Sequence, residues 1–393
     1  PVIRSNTASS PDVVHRGKLV PVPDGFALMA PARVWPVLST PLLSWRGKLR
    51  LAWEYIKPPQ RDVEDENLES FATRRLGRET YERIVQPLIG GIYTADPKKL
   101  SLAATLPRFL EMEREHGGLI RGALRQGKSQ KQSDRQSSGA RYSLFVAPRD
   151  GMSSFVDALA GKLPSESILL NTPISSISRQ SEGTWTLQFN DQSASEEFDH
   201  VILATSAPVA ATLLRESEHQ LAELLSGIPY AGASVVCLGY SKANIEHPLD
   251  GFGFVVPSVA NRKILAASFS SVKYAGRAPD GHVLIRTFVG GDLQPELAAL
   301  ADDELIELVR GELSELIGAR GEPDFCQIVR WEGAMPQYHL GHLQRIEQIE
   351  QAIAALPGLS IAGNAYRGVG VPQCIHGGEV AAERIVIEGA EKT

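Results

Sequence analysis

A chain of 393 residues, 43% hydrophobic and 22% charged, is long enough for more than one buried core and too apolar to remain disordered. Its formal net charge of −6 argues against nucleic acid as the main partner. The three cysteines, Cys237, Cys326 and Cys374, are scattered and odd in number, which fits reduced thiols in a cytosolic compartment rather than a disulfide framework. No apolar run reaches bilayer length and no signal-peptide pattern stands at the start.

In chain order, residues 13–22 read as two short strands turning at Arg16-Gly17. From Phe26 to Ile56 large apolar side chains, Trp35, Trp45, Leu49 and Trp53 among them, interleave with Arg33, Arg46, Lys48 and Arg50. Two readings stand: a helical lobe's own core with snorkelling cations, or a surface that dips into a bilayer interface. Residues 65–76 form an amphipathic helix with Leu68, Phe71 and Leu76 inward and a stop at Gly77. A second helix follows, for which Gly90-Gly91 supplies a C′ end. Residues 123–141 are polar and aperiodic, and read as a mobile surface loop.

The run 167–189 carries three strand signals, split by Asn171-Thr172-Pro173 and Glu182-Gly183. Val201–Ala204 is a buried strand, followed by a helix with Pro208 in its first turn. Between Ser226 and Gly291 alternating segments suggest an antiparallel sheet. The segment 301–318 is a strongly amphipathic helix with an acidic start. His339 and His342 have no third ligand nearby, so a metal site is not assigned. Finally, Leu359–Ala362 is a short buried strand, followed by Gly368, Gly370 and Pro372 and by a helix with Val380, Ala381 and Ile385 on one face. A strand, a glycine-rich turn and a helix start let backbone come close to a flat or charged ligand. The same pattern also serves as an ordinary strand-to-helix turn.

The motif GN-x-x-RGVGVP-x-C-I-x-x-G at 363–378 closely resembles the C-terminal flavin-binding segment of the protoporphyrinogen oxidase family, within the wider group of amine-oxidase-like flavoproteins. The blocks GG-I-Y-x-x-D at 90–96 and W-x-x-A-x-P-Q-Y-x-x-GH at 331–342 resemble the same family, and the likeness extends over nearly the whole chain. It implies an α/β (α+β) protein with FAD as cofactor. Asn364, Val369, Gly370, Val371 and Trp331 would lie at the flavin ring and Ile174 at the adenine, although Ile174 also reads as plain core. Gly91, Val255 and Tyr274 would border the substrate cavity, Tyr274 standing where the family often has Phe. The family's propionate-binding arginine would fall on the first hairpin strand. Counting back from Gly17-Lys18-Leu19 puts Pro11 or Asp12 there, so no anchor is carried over.

The implied organisation is substrate-domain strands in 1–22, a helical membrane-facing lobe in 23–145, FAD-binding segments in 146–215 and 341–393, and a mixed-sheet substrate domain in 216–340. A GxGxxG unit is not seen near Pro1, so the expectation is a chain lacking the family's opening βαβ unit. The implied reaction is oxidation of protoporphyrinogen IX with molecular oxygen as acceptor, without a catalytic acid–base pair. Competing readings are coproporphyrinogen III oxidation, which differs by carboxylate count, and a binding module without activity; amine or carotenoid oxidation fits less well. The implied location is cytoplasmic, with room for peripheral contact with the inner membrane face and for a homodimer.

Overall fold

The structure is a computed structural model that describes residues 2–5, 11–31, 33–60, 64–125, 146–181, 183–190 and 195–390. Most of the polar stretch expected to be a loop, from 126 onward, lies outside the described residues. The chain divides into two compact units, one of Pro1–Leu102, Leu106–Ala158 and Ala231–Gly333, the other of Ala103–Thr105, Leu159–Tyr230 and Ala334–Thr393.

The first unit is built on a seven-stranded sheet. Its strands run, edge to edge, Phe325–Pro336, Tyr230–Ser241, His282–Gly290, Ala266–Phe269, Gly253–Val255, Asp12–His15 and Lys18–Pro21. Gly253–Val255 and Asp12–His15 pair in parallel, which makes the sheet mixed. The edge hairpin turns as its sequence requires: Arg16 (φ 52°) and Gly17 (φ 75°) are both left-handed, the signature of a two-residue turn that matches strand twist.

Side chains alternate across this sheet with period two. Val236, Leu238, Tyr240, Phe254, Ile285 and Val289 enter a closed core with Leu305, Val309, Leu313 and Leu316 from helix Asp302–Ile317. Three acids in that helix's first turn favour its positive end, and Gly318 (φ 64°) closes it. The intervening residues, including Val235, Cys237, Arg286 and Phe288, therefore point to the opposite face.

The helical part of this unit depends on a buried charge cluster. Helix Leu68–Leu76 starts at Asn67, whose side chain accepts from Ser70 N at 2.8 Å, and ends at Gly77 (φ 92°), with Leu68, Phe71 and Leu76 buried as expected. Arg75, fully buried on the same helix, donates through Nε to Glu54 Oε1 at 2.9 Å and makes a second ion pair to the same oxygen. It also donates to the Pro58 carbonyl at 3.2 Å and the Gly117 carbonyl at 3.3 Å. Glu54 in turn accepts from Leu119 N at 2.7 Å and Ile120 N at 3.1 Å. One ion pair thus ties three chain segments together.

Two helix details differ from expectation. Gly90 and Gly91 lie within helix Gln86–Tyr93, and the left-handed residue that ends it is Thr94 (φ 50°). Ahead of Pro87, which has no N–H to donate, the helix widens into a π turn, Tyr81–Val85. The Phe26–Ile56 stretch divides between both of its readings. Met29, Leu42, Leu43 and Leu51 are buried, whereas Trp35 (77%), Trp45 (74%), Leu49 (71%) and Trp53 (58%) remain exposed.

The second unit pairs Val201–Leu203 in parallel with Leu359–Ile361 and surrounds them with helices Ala207–Leu214, His219–Ser226, His342–Ala354 and Val371–Ala390. Beside them is a three-stranded antiparallel sheet of Ile174–Arg179, Trp185–Phe189 and Ser195–Phe198. The third strand is therefore Ser195–Phe198. Ile168, Leu169 and Leu170, read above as a strand, are exposed and outside any strand, so apolar content there does not report burial. Trp185 is fully buried and donates through Nε1 to the Pro357 carbonyl at 3.0 Å. The next residue, Gly358 (φ 81°), admits no side chain, since a Cβ would sit 2.5 Å from the Asp199 carbonyl oxygen. In the final helix Ala381 is buried but Val380 is exposed, so the inward face is narrower than its sequence suggested.

Removing one partner of a buried ion pair strands the other charge and costs about 3–5 kcal/mol. Arg75→Ala should lower the unfolding free energy by about that amount in chemical denaturation, and a loss below about 1 kcal/mol would show that the cluster is not what holds these segments.

Candidate functional site

In the second unit, the chain leaves strand Leu359–Ile361 through Gly363 (φ 137°) and bends again at Gly368 (φ 140°), two conformations that side-chain-bearing residues rarely adopt. The loop between these glycines is fixed by side chains from the PQYHLGH block. The buried Tyr338 hydroxyl donates to the Asn364 carbonyl at 2.6 Å and accepts from Gly368 N at 2.9 Å. Its ring stacks on His342, with centroids 3.9 Å apart and planes 12° apart. His342 Nε2 lies 3.0 Å from the Tyr366 carbonyl oxygen, and a carbonyl can only accept, so Nε2 carries the hydrogen. Burial above all, with the positive charges of Arg345 and Arg367 and the neighbouring His339, holds the imidazole neutral down to about pH 4.

Beside this loop is a hollow of about 530 Å³, within the range of small-molecule sites. It is lined by Gly363, Tyr366 and, from the start of the last helix, Pro372, Gln373 and His376. Among the described residues the buried Tyr366 hydroxyl has no hydrogen-bond partner. Burial raises its pKa, so it stays protonated as a donor. A largely apolar hollow beside a loop bent at two glycines suits a planar ligand.

Of the residues expected at a cofactor, Asn364, Val369, Gly370 and Val371 share this loop and helix start. The side chain of Asn364 is directed to the Ala334 carbonyl at 3.5 Å. The hollow itself is lined by their neighbours. Ile174 opens the three-stranded sheet and packs against this unit's core. Trp331 belongs to the other unit, half-exposed on the edge strand of the large sheet.

In the first unit, Gly91 lies against Val255: a Cβ on Gly91 would be 3.6 Å from Val255 Cγ1. Tyr274 follows helix Ser270–Lys273, and the Lys273 ammonium sits 5.7 Å from the Tyr274 ring and 5.7 Å from the Phe252 ring. Beside Gly91, a pocket lined by Gly90, Val256, Leu265 and Gly290 holds only about 10 Å³, too little for a ligand. Sequence reasoning missed Tyr338 and His342 as loop supports, and missed Arg286 and Phe288 on the open sheet face. The alternation in HVLIRTFVGG carried the signal for the last two.

A family model described as flavin containing amine oxidoreductase matches residues 3–386. The chain belongs to that family. It is an FAD-dependent oxidoreductase, and the loop from Gly363 to Gly368, bent at two glycines beside a largely apolar hollow, fits the close approach of a flat cofactor. The coproporphyrinogen III oxidase of Staphylococcus aureus is 33% identical over 391 residues, covering 98% of this chain and 83% of that protein. The protoporphyrinogen oxidase of Bos taurus is 32% identical over 386 residues, covering 94% of this chain and 77% of that protein. A crystal structure assigned to a protoporphyrinogen oxidase from Exiguobacterium superposes with a TM-score of 0.80 at 27% identity, over 99% of this chain and 81% of that one.

A histidine whose folded pKa is about 4 against an ordinary 6.5 contributes stability that is complete above pH 6.5 and is lost as pH falls towards 4. The full swing is about 3 kcal/mol. His342→Gln keeps a donor for the Tyr366 carbonyl but cannot titrate. Stability curves between pH 7 and 4 should therefore fall less steeply for the variant. Parallel curves would remove His342 as the titrating group.

Proposed function

We propose that the protein oxidises a porphyrinogen to its porphyrin with molecular oxygen as acceptor, and that coproporphyrinogen III is the preferred substrate. The observation that carries this reading is the likeness to bacterial coproporphyrinogen III oxidases, 31–33% identical over 95–98% of the chain. The protoporphyrinogen IX reading rests on the relatives of that name, the bovine one at 32%.

FAD, when bound, accepts hydride from the macrocycle and passes electrons to oxygen; each of three two-electron rounds releases one hydrogen peroxide. The chain's own residues then bind and orient. Tyr338 and His342 hold the loop on which Asn364, Val369, Gly370 and Val371 would meet the flavin ring, with Ile174 towards the adenine. The hollow beside that loop presents largely apolar walls. Gly91, Val255 and Tyr274 border the tetrapyrrole. The aromatic product supplies the driving force, so placement is the main demand on the protein and no acid–base pair is assigned.

The exposed Trp35, Trp45, Leu49 and Trp53, with Lys48 5.0 Å from the Trp45 ring, support contact with a membrane surface at the inner face of the cytoplasmic membrane. Among the described residues no helix is long and apolar enough to cross a membrane.

Anaerobic addition of coproporphyrinogen III to the flavin-loaded protein should bleach the flavin's visible absorbance, and air should restore it with porphyrin fluorescence and peroxide. Its kcat/KM should exceed that of protoporphyrinogen IX by about tenfold, roughly 1.4 kcal/mol of discrimination. The opposite ranking would favour protoporphyrinogen IX, and an unbleached flavin with both would remove the porphyrinogen reading. Separately, the protein should co-sediment with anionic vesicles, and Trp45→Glu with Trp53→Glu should abolish this without altering turnover in solution. Sedimentation unaffected by the double substitution would show that this patch is not the contact.

A further inference from the structure

The face of the seven-stranded sheet opposite helix Asp302–Ile317 carries two adjacent rows of side chains of different chemistry, in which Val235 and Ala266 are buried, Val255 and Phe288 half-buried and Arg286 exposed. In the first, Val255 pairs with Ala266, Ala266 with Phe288 and Phe288 with Val235, an apolar line across four strands. In the second, Gly253 pairs with Ser268, Ser268 with Arg286 and Arg286 with Cys237. The rows are two residues apart along each strand, about 7 Å at the rise of a β-strand.

Arg286 differs from those arginines of this unit that pair with an acid. Arg74, Arg75, Arg78, Arg83, Arg262, Arg310 and Arg330 each form an ion pair with Asp or Glu. Arg286 is exposed, its guanidinium lies 5.6 Å from the Phe288 ring centroid, and its other contact is the half-buried Cys237 thiol. Among the described residues it has no carboxylate partner. Lys273 adds a second positive charge within electrostatic reach of Arg286. An exposed guanidinium without a carboxylate partner among the described residues, next to an apolar row, is what a flat apolar ligand with a carboxylate tail would require.

We propose that Arg286 is the positioning residue that binds a propionate of the tetrapyrrole, with the macrocycle lying along the Val255–Phe288 row. The proposal rests on the porphyrinogen reading above. It places the anchor that the sequence did not supply on the hairpin strand, where Pro11 and Asp12 stand. Its planar guanidinium, held against Phe288, can take a carboxylate through two parallel N–H groups, which a lysine cannot match.

The test compares coproporphyrin III with its tetramethyl ester, binding both to the flavin-loaded wild type and to Arg286→Gln and Arg286→Lys by fluorescence quenching. The wild type should prefer the acid. Arg286→Gln should lose about tenfold in affinity for the acid while ester binding and flavin content stay unchanged, and Arg286→Lys should recover part of the loss. In turnover, Arg286→Gln should raise KM with kcat little altered. An unchanged acid-to-ester ratio in Arg286→Gln overturns the anchor while leaving the porphyrinogen reading intact. Loss of acid and ester alike makes Arg286 structural and also overturns it. A wild type that binds neither ligand overturns the porphyrinogen reading, and the anchor with it.

Discussion

The Tyr338 hydroxyl takes the Gly368 N–H and gives its own hydrogen to the Asn364 carbonyl, and the loop from Gly363 to Gly368 depends on that pair of bonds. A loop with two glycines in conformations of positive φ has several shapes open to it, and its own residues would not choose among them. The choice is made by a phenol that cannot move: Tyr338 is buried, stacked on His342, and His342 is in turn fixed to the Tyr366 carbonyl. Two sequence blocks that look independent are thus one device. The PQYHLGH block sets the shape of the loop from Gly363 to Gly368, which borders the hollow.

The other unit solves a different problem with the same economy. A sheet buries one face to be stable, and the period of two leaves a second face free for chemistry. Helix Asp302–Ile317 seals the core side with five buried apolar residues, Leu305, Val309, Leu313, Leu316 and Ile317. On the free side, position along the strand sorts side chains into an apolar row and a polar one, which brings Phe288 and Arg286 into adjacent rows although they are two residues apart in sequence.

Much of this was readable in the chain. The hairpin at Arg16-Gly17, the helix stopped by Gly77, the acidic start at Asp302 and the short strand at Leu359 each follow from local chemistry: a left-handed turn, a cap, a helix dipole, a run of apolar residues between breakers. The misreadings were of another kind. Ile168–Leu170 are apolar yet unpaired, because strand formation needs a neighbour whose position the local sequence does not encode. Gly90 and Gly91 sit inside a helix that runs on to Tyr93 and is closed by the left-handed Thr94.

By itself the sequence determined the family, the FAD cofactor and the local elements, since these are written in residue types at fixed short spacings. The tertiary structure alone decided which distant groups meet: Tyr338 with Gly368, and Glu54 with Arg75 and the 119–120 backbone. The physical reason is that a hydrogen bond or an ion pair is a matter of a few ångströms in space. Its two ends can lie anywhere along the chain, and only the packing of strands and helices brings them within reach.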